Sequence, residues 1–386
     1  MIQRGCNLSK TNSFFLFGAR GTGKATLLAQ SFSAQDSLHV DLLDSITYDD
    51  LLLDKSRFIA LIDSEKNIHK RVIIDEVQKL PDLLNIAHSQ IQKRKRQFIL
   101  TGSSSRRLKQ KGTNLLAGRA WIYNLFPFSV LEIEAQFDLK KCLEVGGLPE
   151  PYLAEDRQSA IEFLSAYVGT YLQKEIQEER WVRNIGPFRK FLAVAAQMNG
   201  KIVNKLSIAS DIGVDDVTVG NYFEIVEDTL IGFFLPAYHT SVRKAQKLSP
   251  KFYFIDTGIK RALDRTLSVN LEPQTKAWGD AFEHFIILEF RKNISYKRLN
   301  WEMFYIRTKE DVEIDLVIDR PGDKNLLIEI KSKNRVSESD AKALETLGKD
   351  LDSRAERLLI SNDPLEQWFG KTRAINWKAA IKEIFS

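Results

Sequence analysis

The sequence has few cysteines and no long apolar run, and these absences exclude several classes of protein. Its 386 residues include only two cysteines, too few for a disulfide-stabilised secreted scaffold. No apolar run reaches the roughly 18 residues that a membrane-spanning helix needs, and the first residues lack the apolar stretch of a signal peptide. The five histidines show no metal-ligand spacing. We therefore expect a cytoplasmic protein with free thiols, no membrane partner and no zinc site.

The composition is otherwise that of a globular protein with a small positive charge. Apolar residues make up 44% and charged residues 28%, which argues against a largely disordered chain. The net charge is +5, and the basic excess lies within residues 1–149, in runs such as 93–96. Such runs favour polyanions and make DNA or RNA expected partners. A solvated helix end explains any single run equally well.

Apolar patterns predict an α/β protein with three domains, at residues 1–149, 150–274 and 275–386. In the first, short apolar strands alternate with amphipathic segments, which is typical of a parallel sheet. These strands are predicted at 13–17, 39–43, 71–75 and 97–101. A segment rich in glycine and proline, 142–152, marks the first boundary.

The middle domain is predicted to be helical and the last to be a small α/β domain. Helices are predicted at 160–179, 187–198, 206–212 and 216–230, followed by strands at 232–239 and 251–256. Three helices and a β-hairpin in that order describe a winged helix, whose basic loop holds Arg243, Lys244 and Lys247. In the last domain, alternating strands at 312–319 and 326–331 flank a Pro-Gly turn, with helices at 277–291 and 339–351.

A phosphate-binding loop follows the first strand. Residues 18–25 read Gly-Ala-Arg-Gly-Thr-Gly-Lys-Ala, close to the pattern G-x-x-x-x-G-K-[ST] between a strand and a helix. The glycines let backbone N–H groups face the phosphates, Lys24 supplies a cation, and the helix N-terminus adds partial positive charge. A simple glycine-rich turn is the alternative. The candidate nucleotide-binding residues are Gly18, Ala19, Arg20, Gly21, Thr22, Gly23, Lys24, Ala25 and Thr26.

The eighth position of this loop departs from the pattern. A Ser or Thr there would ligate Mg²⁺, but this chain has Ala25. Thr26 points about 100° away on a helix and is a poor substitute. We therefore expect phosphate binding to persist and hydrolysis to be impaired.

Two acidic residues close the predicted strand 71–75. Asp75 would hold Mg²⁺ through water, and Glu76 would act as the general base on the attacking water. Farther on, Ser103 follows the next strand and could sense the terminal phosphate, although Ser and Gly after a strand are also ordinary turn residues. Arg119 is a candidate arginine finger for a neighbouring copy, or a surface salt-bridge residue.

A second constellation lies in the last domain. Strand alternation places Asp315 on the polar face of one strand, and Glu329 and Lys331 on one face of the next. Glu283, in the preceding helix, could add a carboxylate. Carboxylates arranged in this way could hold Mg²⁺ against a scissile phosphate, with the lysine orienting water. A hairpin with a charged outer face is the alternative.

These features together resemble a family of bacterial and archaeal AAA-type ATPases with a C-terminal domain of unknown function. The resemblance rests on Gly18–Lys24, Asp75-Glu76, Gly146–Pro149, Lys251–Gly258 and the Asp315 and Glu329–Lys331 strands. In the last domain, the order Glu283, Asp315 and Glu329-x-Lys331 resembles the PD-(D/E)XK nuclease core. The resemblance implies ATP binding, a winged-helix middle and a nuclease-like end. The phosphate loop and the acidic pair make ATP and Mg²⁺ the expected cofactors, and an arginine finger supplied to a neighbouring copy would require a homo-oligomer.

Three functions remain open from the sequence. The first is an AAA-type ATPase that moves its C-terminal domain. The second is a metal-dependent DNA or RNA nuclease that is gated by nucleotide. The third is a non-catalytic interaction protein with ATP as a structural ligand.

Overall fold

A computed structural model describes residues 2–104, 116, 118–171, 185–238, 248–352 and 354–386. Contacts divide the chain into two compact units. Unit 1 comprises Met1–Phe126 and Asp228–Leu230, and unit 2 comprises Pro127–Glu227 and Ile231–Ser386. The three-domain division stays a prediction, and each unit is described by itself.

Unit 1 contains a five-stranded parallel sheet with helices between its strands. Its elements are β1 (Ser13–Phe17), α1 (Lys24–Ser31), β2 (Ser37–Asp41), α2 (Ser45–Leu53), α3 (Ser56–Asp63), β3 (Arg71–Asp75), α4 (Leu83–Arg94), β4 (Phe98–Gly102) and β5 (Ala120–Asn124). The strand order is β2-β3-β4-β1-β5. Strand β4 therefore lies between the strand that precedes the phosphate loop and the strand that ends in Asp75. Apolar side chains of β1, β3 and β4 are almost fully buried, as expected for a sheet covered on both faces.

Two strand predictions for unit 1 need correction. The second strand spans Ser37–Asp41, two residues earlier than predicted, because its ladder to β3 pairs Ser37 with Arg71 and Asp41 with Asp75. The strand β5 was not predicted. It pairs in parallel with β1 and leaves Trp121 and Ile122 exposed, so it lacks the apolar pattern of a buried strand.

Unit 2 combines helices, a short hairpin and a mixed sheet. Its helices are α5 (Leu139–Val145), α6 (Pro149–Leu153), α7 (Arg157–Ala166), α8 (Ile185–Gln197), α9 (Lys205–Ile212), α10 (Asp216–Asp228), α11 (Thr257–Leu263), α12 (Lys276–Tyr296), α13 (Glu338–Leu351) and α14 (Trp377–Phe385). Its strands are β6 (Gly232–Leu235), β7 (Lys251–Phe254), β8 (Glu302–Arg307), β9 (Glu313–Asp319), β10 (Leu326–Lys331), β11 (Glu356–Ser361), β12 (Gln367–Phe369) and β13 (Thr372–Asn376).

The described part of the middle region contains helices α8 to α10 and the antiparallel pair β6–β7. The winged-helix interpretation stays a prediction, and its basic loop with Arg243, Lys244 and Lys247 lies outside the described residues. The long helix predicted from residue 160 differs from the structure. Helix α7 ends at Ala166, and a π-helical turn follows at Tyr167–Tyr171; the rest of that prediction lies outside the described residues.

The six-stranded sheet has the order β12-β13-β11-β10-β9-β8. Strands β9 and β10 are antiparallel, whereas β10 and β11 are parallel. The sequence alternation suggests one exposed face, yet residues 314–318 and 326–330 are all buried. Since successive side chains point to opposite faces, both faces of these strands are covered. The carboxylates of Asp315 and Glu329 therefore lie in the interior, which argues against an exposed charged hairpin.

Two of the motifs quoted above contact each other in unit 2. The buried Asp256 side chain accepts hydrogen bonds from the backbone N–H groups of Gly147, at 2.6 Å, and Ile259, at 3.0 Å. A Cβ atom on Gly258 would lie 2.2 Å from the carbonyl oxygen of Val145. These residues fix helix α11 against the 146–149 turn.

A charged pair fixes a second connection within unit 2. Glu289 and Lys292, both almost fully buried, lie 2.9 Å apart. The Glu289 carboxylate accepts a hydrogen bond from the Val130 N–H, and Lys292 donates one to the Phe128 carbonyl oxygen. Segment 127–132 is thus held to helix α12.

Both cysteines, Cys6 and Cys142, are buried and free. Across the residues described here, no helix is both long enough and apolar enough to span a membrane.

Candidate functional sites

The predicted phosphate loop joins the end of β1 to the start of α1 in unit 1. Lys24, 9% exposed, donates hydrogen bonds to the carbonyl oxygens of Gly18, at 2.7 Å, and Ala19, at 3.4 Å. The hydroxyl group of Thr22 donates to the same Ala19 oxygen, at 2.8 Å. The loop therefore curls around the lysine ammonium group.

The glycines of this loop have structural reasons. Gly21 and Gly23 have φ angles of 81° and 90°, which favour glycine. A Cβ atom on Gly18 would lie 2.5 Å from the carbonyl oxygen of Leu125. Gly23 precedes the first residue of α1 without a side-chain cap, so the N–H groups of the first turn face the loop.

Three further loop residues lie at the surface. Arg20, Ala25 and Thr26 are exposed. A methyl group at position 25 offers no oxygen to a metal ion. The defect identified in the sequence therefore lies at the accessible start of α1.

Asp75 ends β3 and contacts the neighbouring strand. Its carboxylate accepts a hydrogen bond from the hydroxyl group of Thr101 on β4. Burial raises the pKa of Asp75, and the nearby charge of Lys24 partly opposes that rise. The acidic strand end and the loop lysine therefore interact electrostatically.

Glu76 has a left-handed backbone, with φ of 55°, that turns its side chain toward β4. Its carboxylate accepts hydrogen bonds from the side-chain amide of Gln78 and, at 3.3 Å, from the hydroxyl group of Ser103. The amide of Gln78 also contacts the Ser103 hydroxyl group, at 3.2 Å. Ser103, predicted to sense a phosphate, thus contacts the candidate general base in this structure.

Arg119 lies one residue before β5 and is exposed. Its backbone N–H donates to the Leu116 carbonyl oxygen, at 2.8 Å. Its role as an arginine finger for a neighbouring copy stays a prediction.

The second constellation assembles within unit 2, on β9 and β10. The pair Leu316–Ile328 is the last in the antiparallel ladder, and Asp315 and Glu329 come next on the two strands. Asp315 accepts a hydrogen bond from the Ile330 N–H, at 2.8 Å. Lys331 lies 2.5 Å from one carboxylate oxygen of Glu329.

Glu283 joins this cluster from helix α12, together with residues that the sequence analysis did not assign to it. Its carboxylate accepts a 2.8 Å hydrogen bond from the Tyr253 hydroxyl group and lies 3.6 Å from the Lys251 ammonium group. Lys251 also lies 2.5 Å from Glu313. We call these seven residues the carboxylate cluster: Lys251, Tyr253, Glu283, Glu313, Asp315, Glu329 and Lys331.

Three carboxylates of this cluster, those of Glu283, Asp315 and Glu329, have pKa values above their ordinary ones. Burial and the neighbouring Asp315 charge raise the pKa of Glu283 to about 7. Burial and the charge of Glu329 raise the pKa of Asp315, and burial also raises that of Glu329. Buried like charges of this kind favour either a proton or a bound cation.

The donor set fits a small hard cation that keeps several water ligands. Within the described ranges, no three His, Cys, Asp or Glu side chains already form a group that could hold a metal ion. However, Mg²⁺ is usually held by one or two carboxylates and water. One oxygen of the buried Glu329 carboxylate has no hydrogen-bond partner, which is the orphaned ligand such an ion would satisfy.

The alternation of strand β7 places Lys251 and Tyr253 on one face, and it is the only signal for them in the sequence. Its sequence, Lys-Phe-Tyr-Phe, alternates, and Phe252 and Phe254 pack against each other as aromatic neighbours. Lys251 and Tyr253 therefore share the opposite face. A lysine that is only 3% exposed requires a partner charge, and that requirement points to the cluster.

The comparisons with known families divide the chain into three matches. Residues 10–134 match an AAA domain. Residues 136–273 and 278–379 match two domains of unknown function, DUF8612 and DUF4143. The chain thus carries an AAA-type domain of the P-loop ATPase class, as the sequence predicted.

Similar curated proteins are themselves uncharacterized. Rv2008c of Mycobacterium tuberculosis and Mb2031c of Mycobacterium bovis are each 24% identical over 65% of this chain. The chain spans 56% of the length of these two relatives. MJ1637 of Methanocaldococcus jannaschii is 23% identical over 96% of this chain and 85% of its own.

Two solved structures show distant similarity. The Aeropyrum pernix ORC1 protein, solved in complex with DNA, is 14% identical with a TM-score of 0.26, covering 67% of this chain and 87% of its own. A signal transduction ATPase from Pyrococcus horikoshii is 11% identical with a TM-score of 0.28, and the match covers 74% of this chain and 45% of that protein.

Proposed function

We propose that this chain binds ATP in the loop Gly18–Lys24 and hydrolyses it slowly. The observation that carries the proposal is the curled loop around Lys24, one strand away from the Thr101–Asp75 contact. Backbone N–H groups of the loop and α1 bind the phosphates, and Lys24 exchanges its loop carbonyls for phosphate oxygens. A bound Mg²⁺ would neutralise charge on the phosphates, and Asp75 would hold it through water.

Two features of unit 1 slow the chemical step. Ala25 removes one metal ligand, so the ion depends on Asp75 and water. Glu76 is engaged by Gln78 and Ser103, and it must leave those partners before it can take a proton from the attacking water. Both features act on turnover rather than on binding.

Nucleotide binding and turnover test this proposal separately. We expect Lys24→Ala to weaken binding of a fluorescent ATP analogue at least tenfold, whereas Lys10→Ala, which removes an exposed lysine from the same unit, leaves binding unchanged. Ala25→Thr should raise phosphate release about tenfold. Fast hydrolysis by the wild-type chain, unchanged by Ala25→Thr, would contradict the proposal.

We propose a second activity for unit 2, metal-dependent cleavage of a DNA or RNA phosphodiester. The carboxylate cluster supports it: Asp315 and Glu329 would hold the ion, and Glu283 would contact it through water. The ion would polarise the scissile phosphate. Lys331, held 2.5 Å from Glu329, orients the attacking water or stabilises the developing negative charge. This reading accords with the PD-(D/E)XK resemblance.

A nuclease assay with a same-strand control tests this activity. We expect Mn²⁺-dependent cleavage of at least one substrate in a panel of single- and double-stranded DNA and RNA. Asp315→Asn and Glu329→Gln should abolish it, whereas Asp319→Asn, at the other end of β9, should not. Cleavage that survives Asp315→Asn would refute this role of the cluster.

The proposed partners follow from these two sites. ATP is the ligand of unit 1, and nucleic acid is the substrate proposed for unit 2. A homo-oligomer would allow Arg119 of one copy to reach the ATP of another, and loss of ATP-dependent association in Arg119→Ala would support that arrangement.

A further inference from the structure

Lys251 is fixed in the carboxylate cluster from several sides. Its side chain is 4% exposed, and its ammonium group lies 2.5 Å from Glu313 and 3.6 Å from Glu283. The ring of Tyr305 lies beside it, with the ammonium group 5.4 Å from the ring centre. A lysine held in this way acts as a fixed cation.

Glu283 is committed to protein donors through one of its oxygens. The same oxygen accepts the Tyr253 hydroxyl hydrogen bond, at 2.8 Å, and faces the Lys251 ammonium group. In contrast, the second oxygen of Glu329 is buried without a hydrogen-bond partner. Lys251 therefore occupies the side of the cluster at Glu283 and Glu313, whereas Glu329 on the other side has an oxygen that could bind a metal ion.

The charges of the cluster support this division. When ionised, its four carboxylates face two ammonium groups, Lys251 and Lys331, which leaves a net charge of −2. Arg307 lies 3.8 Å from Glu313 at the exposed edge, but it also pairs with Asp311, at 3.1 Å. One divalent cation would balance the remaining charge.

We propose that Lys251 occupies the place of a second metal ion between Glu283 and Glu313, so that the site holds a single divalent cation at Asp315 and Glu329. This inference rests on the metal-dependent activity proposed above and specifies its metal stoichiometry. Lys251 is a positioning residue in this scheme, and Tyr253 holds Glu283 toward it. The Lys251–Gly258 motif thereby contributes to the site as well as to packing.

Mn²⁺ binding to the nucleotide-free chain of 386 residues tests the inference without measuring activity. Electron paramagnetic resonance of free Mn²⁺ gives both stoichiometry and affinity. We expect the wild-type chain to bind one ion that is lost in Asp315→Asn. Lys251→Met should bind Mn²⁺ about tenfold more tightly or take up a second ion, because a unit positive charge has been removed from the carboxylate cluster.

The controls separate charge from packing. Lys251→Arg should behave as wild type, since it restores the charge. Lys382→Met removes an exposed lysine from an ion pair with Glu134 and should leave Mn²⁺ binding unchanged. Lys251→Gln, which keeps a donor but not the charge, replaces Lys251→Met if that variant does not fold.

Each contrary outcome identifies what has failed. Unchanged or weaker binding by the folded Lys251→Met and Lys251→Gln chains would overturn the inference and leave the proposed nuclease site standing. Two ions bound by the wild-type cluster would overturn it without any variant. If Asp315→Asn bound Mn²⁺ as well as the wild-type chain does, the metal site would be refuted, and the proposed nuclease function with it.

Discussion

Replacing Glu283 by glutamine should make unit 2 more stable near neutral pH. Burial and the Asp315 charge raise the pKa of Glu283 to about 7, above its ordinary value of 4.5. The native chain therefore holds a proton at this site that the unfolded chain has already released, so stability falls as pH rises from about 4.5 to about 7. Glutamine has no charge to bury and still offers an oxygen to the Tyr253 hydroxyl group.

The size of the effect follows from the shift. Raising the pKa of Glu283 from 4.5 to about 7 lowers the free energy of unfolding of the wild-type chain by at most about 3 kcal/mol at high pH. The gain from Glu283→Gln should be near zero at pH 4 and reach its maximum above pH 7. His284 gives the opposite slope, because burial lowers its pKa to about 3, but it is present in both chains and cancels in the difference.

Urea unfolding at several pH values measures this difference. Fluorescence of the buried Trp278 and Trp377 follows unit 2, and Glu302→Gln, an exposed change in the same unit, is the control. Mn²⁺ at pH 7.5 should reduce the difference in unfolding free energy between Glu283→Gln and the wild-type chain, because it stabilises the ionised wild-type cluster. A stability gain that is independent of pH, or that shrinks as pH rises, would refute the reasoning.

Three further predictions concern residues outside that measurement. Glu76→Gln should retain ATP affinity within about threefold and lose turnover; an affinity loss as large as that of Lys24→Ala in nucleotide titrations would assign Glu76 a structural role. Lys292→Met should destabilise unit 2 by about 3–5 kcal/mol in urea unfolding, because it leaves the Glu289 charge buried and unpaired; a cost below 1 kcal/mol would contradict this. Gly258→Ala should lower the free energy of unfolding by about 1–3 kcal/mol, because the new Cβ atom clashes with Val145. Gly279→Ala, on helix α12 where a Cβ atom has space, should raise it by up to about 1 kcal/mol. Equal changes of the melting temperature in the two variants would contradict both expectations.

The phosphate-loop region could be predicted because its signals are contiguous in the sequence. Gly18–Lys24 and Asp75-Glu76 each lie within a few residues, next to apolar strands whose type is evident. The contact of Ser103 with Glu76 was not predictable, since it depends on how β3 and β4 place their ends side by side. Strand β5 was missed for a related reason, because its pairing to β1 rather than its own pattern makes it a strand.

The carboxylate cluster was predicted only in part. Alternation on β9 and β10 placed Asp315, Glu329 and Lys331 together, since strand period alone decides a face. Lys251 and Tyr253 lie about 60 residues earlier, in a segment assigned to another domain, and no local pattern connects them to the cluster. Only the register of the folded unit brings these two residues to Glu283.

The long-range ties of segment 127–149 have a consequence for how the chain folds during synthesis. The hydrogen-bond partners of Phe128 and Val130 lie 164 and 159 residues farther along the chain. The partner of Gly147 lies 109 residues farther along. At about 5–20 residues per second, the ribosome needs roughly 5–33 s to supply them. During that interval a nascent segment exposes apolar surface, which favours chaperone binding and aggregation over autonomous folding. Fragments that end near residue 274 should leave segment 127–132 without its partners, because they lack Glu289 and Lys292.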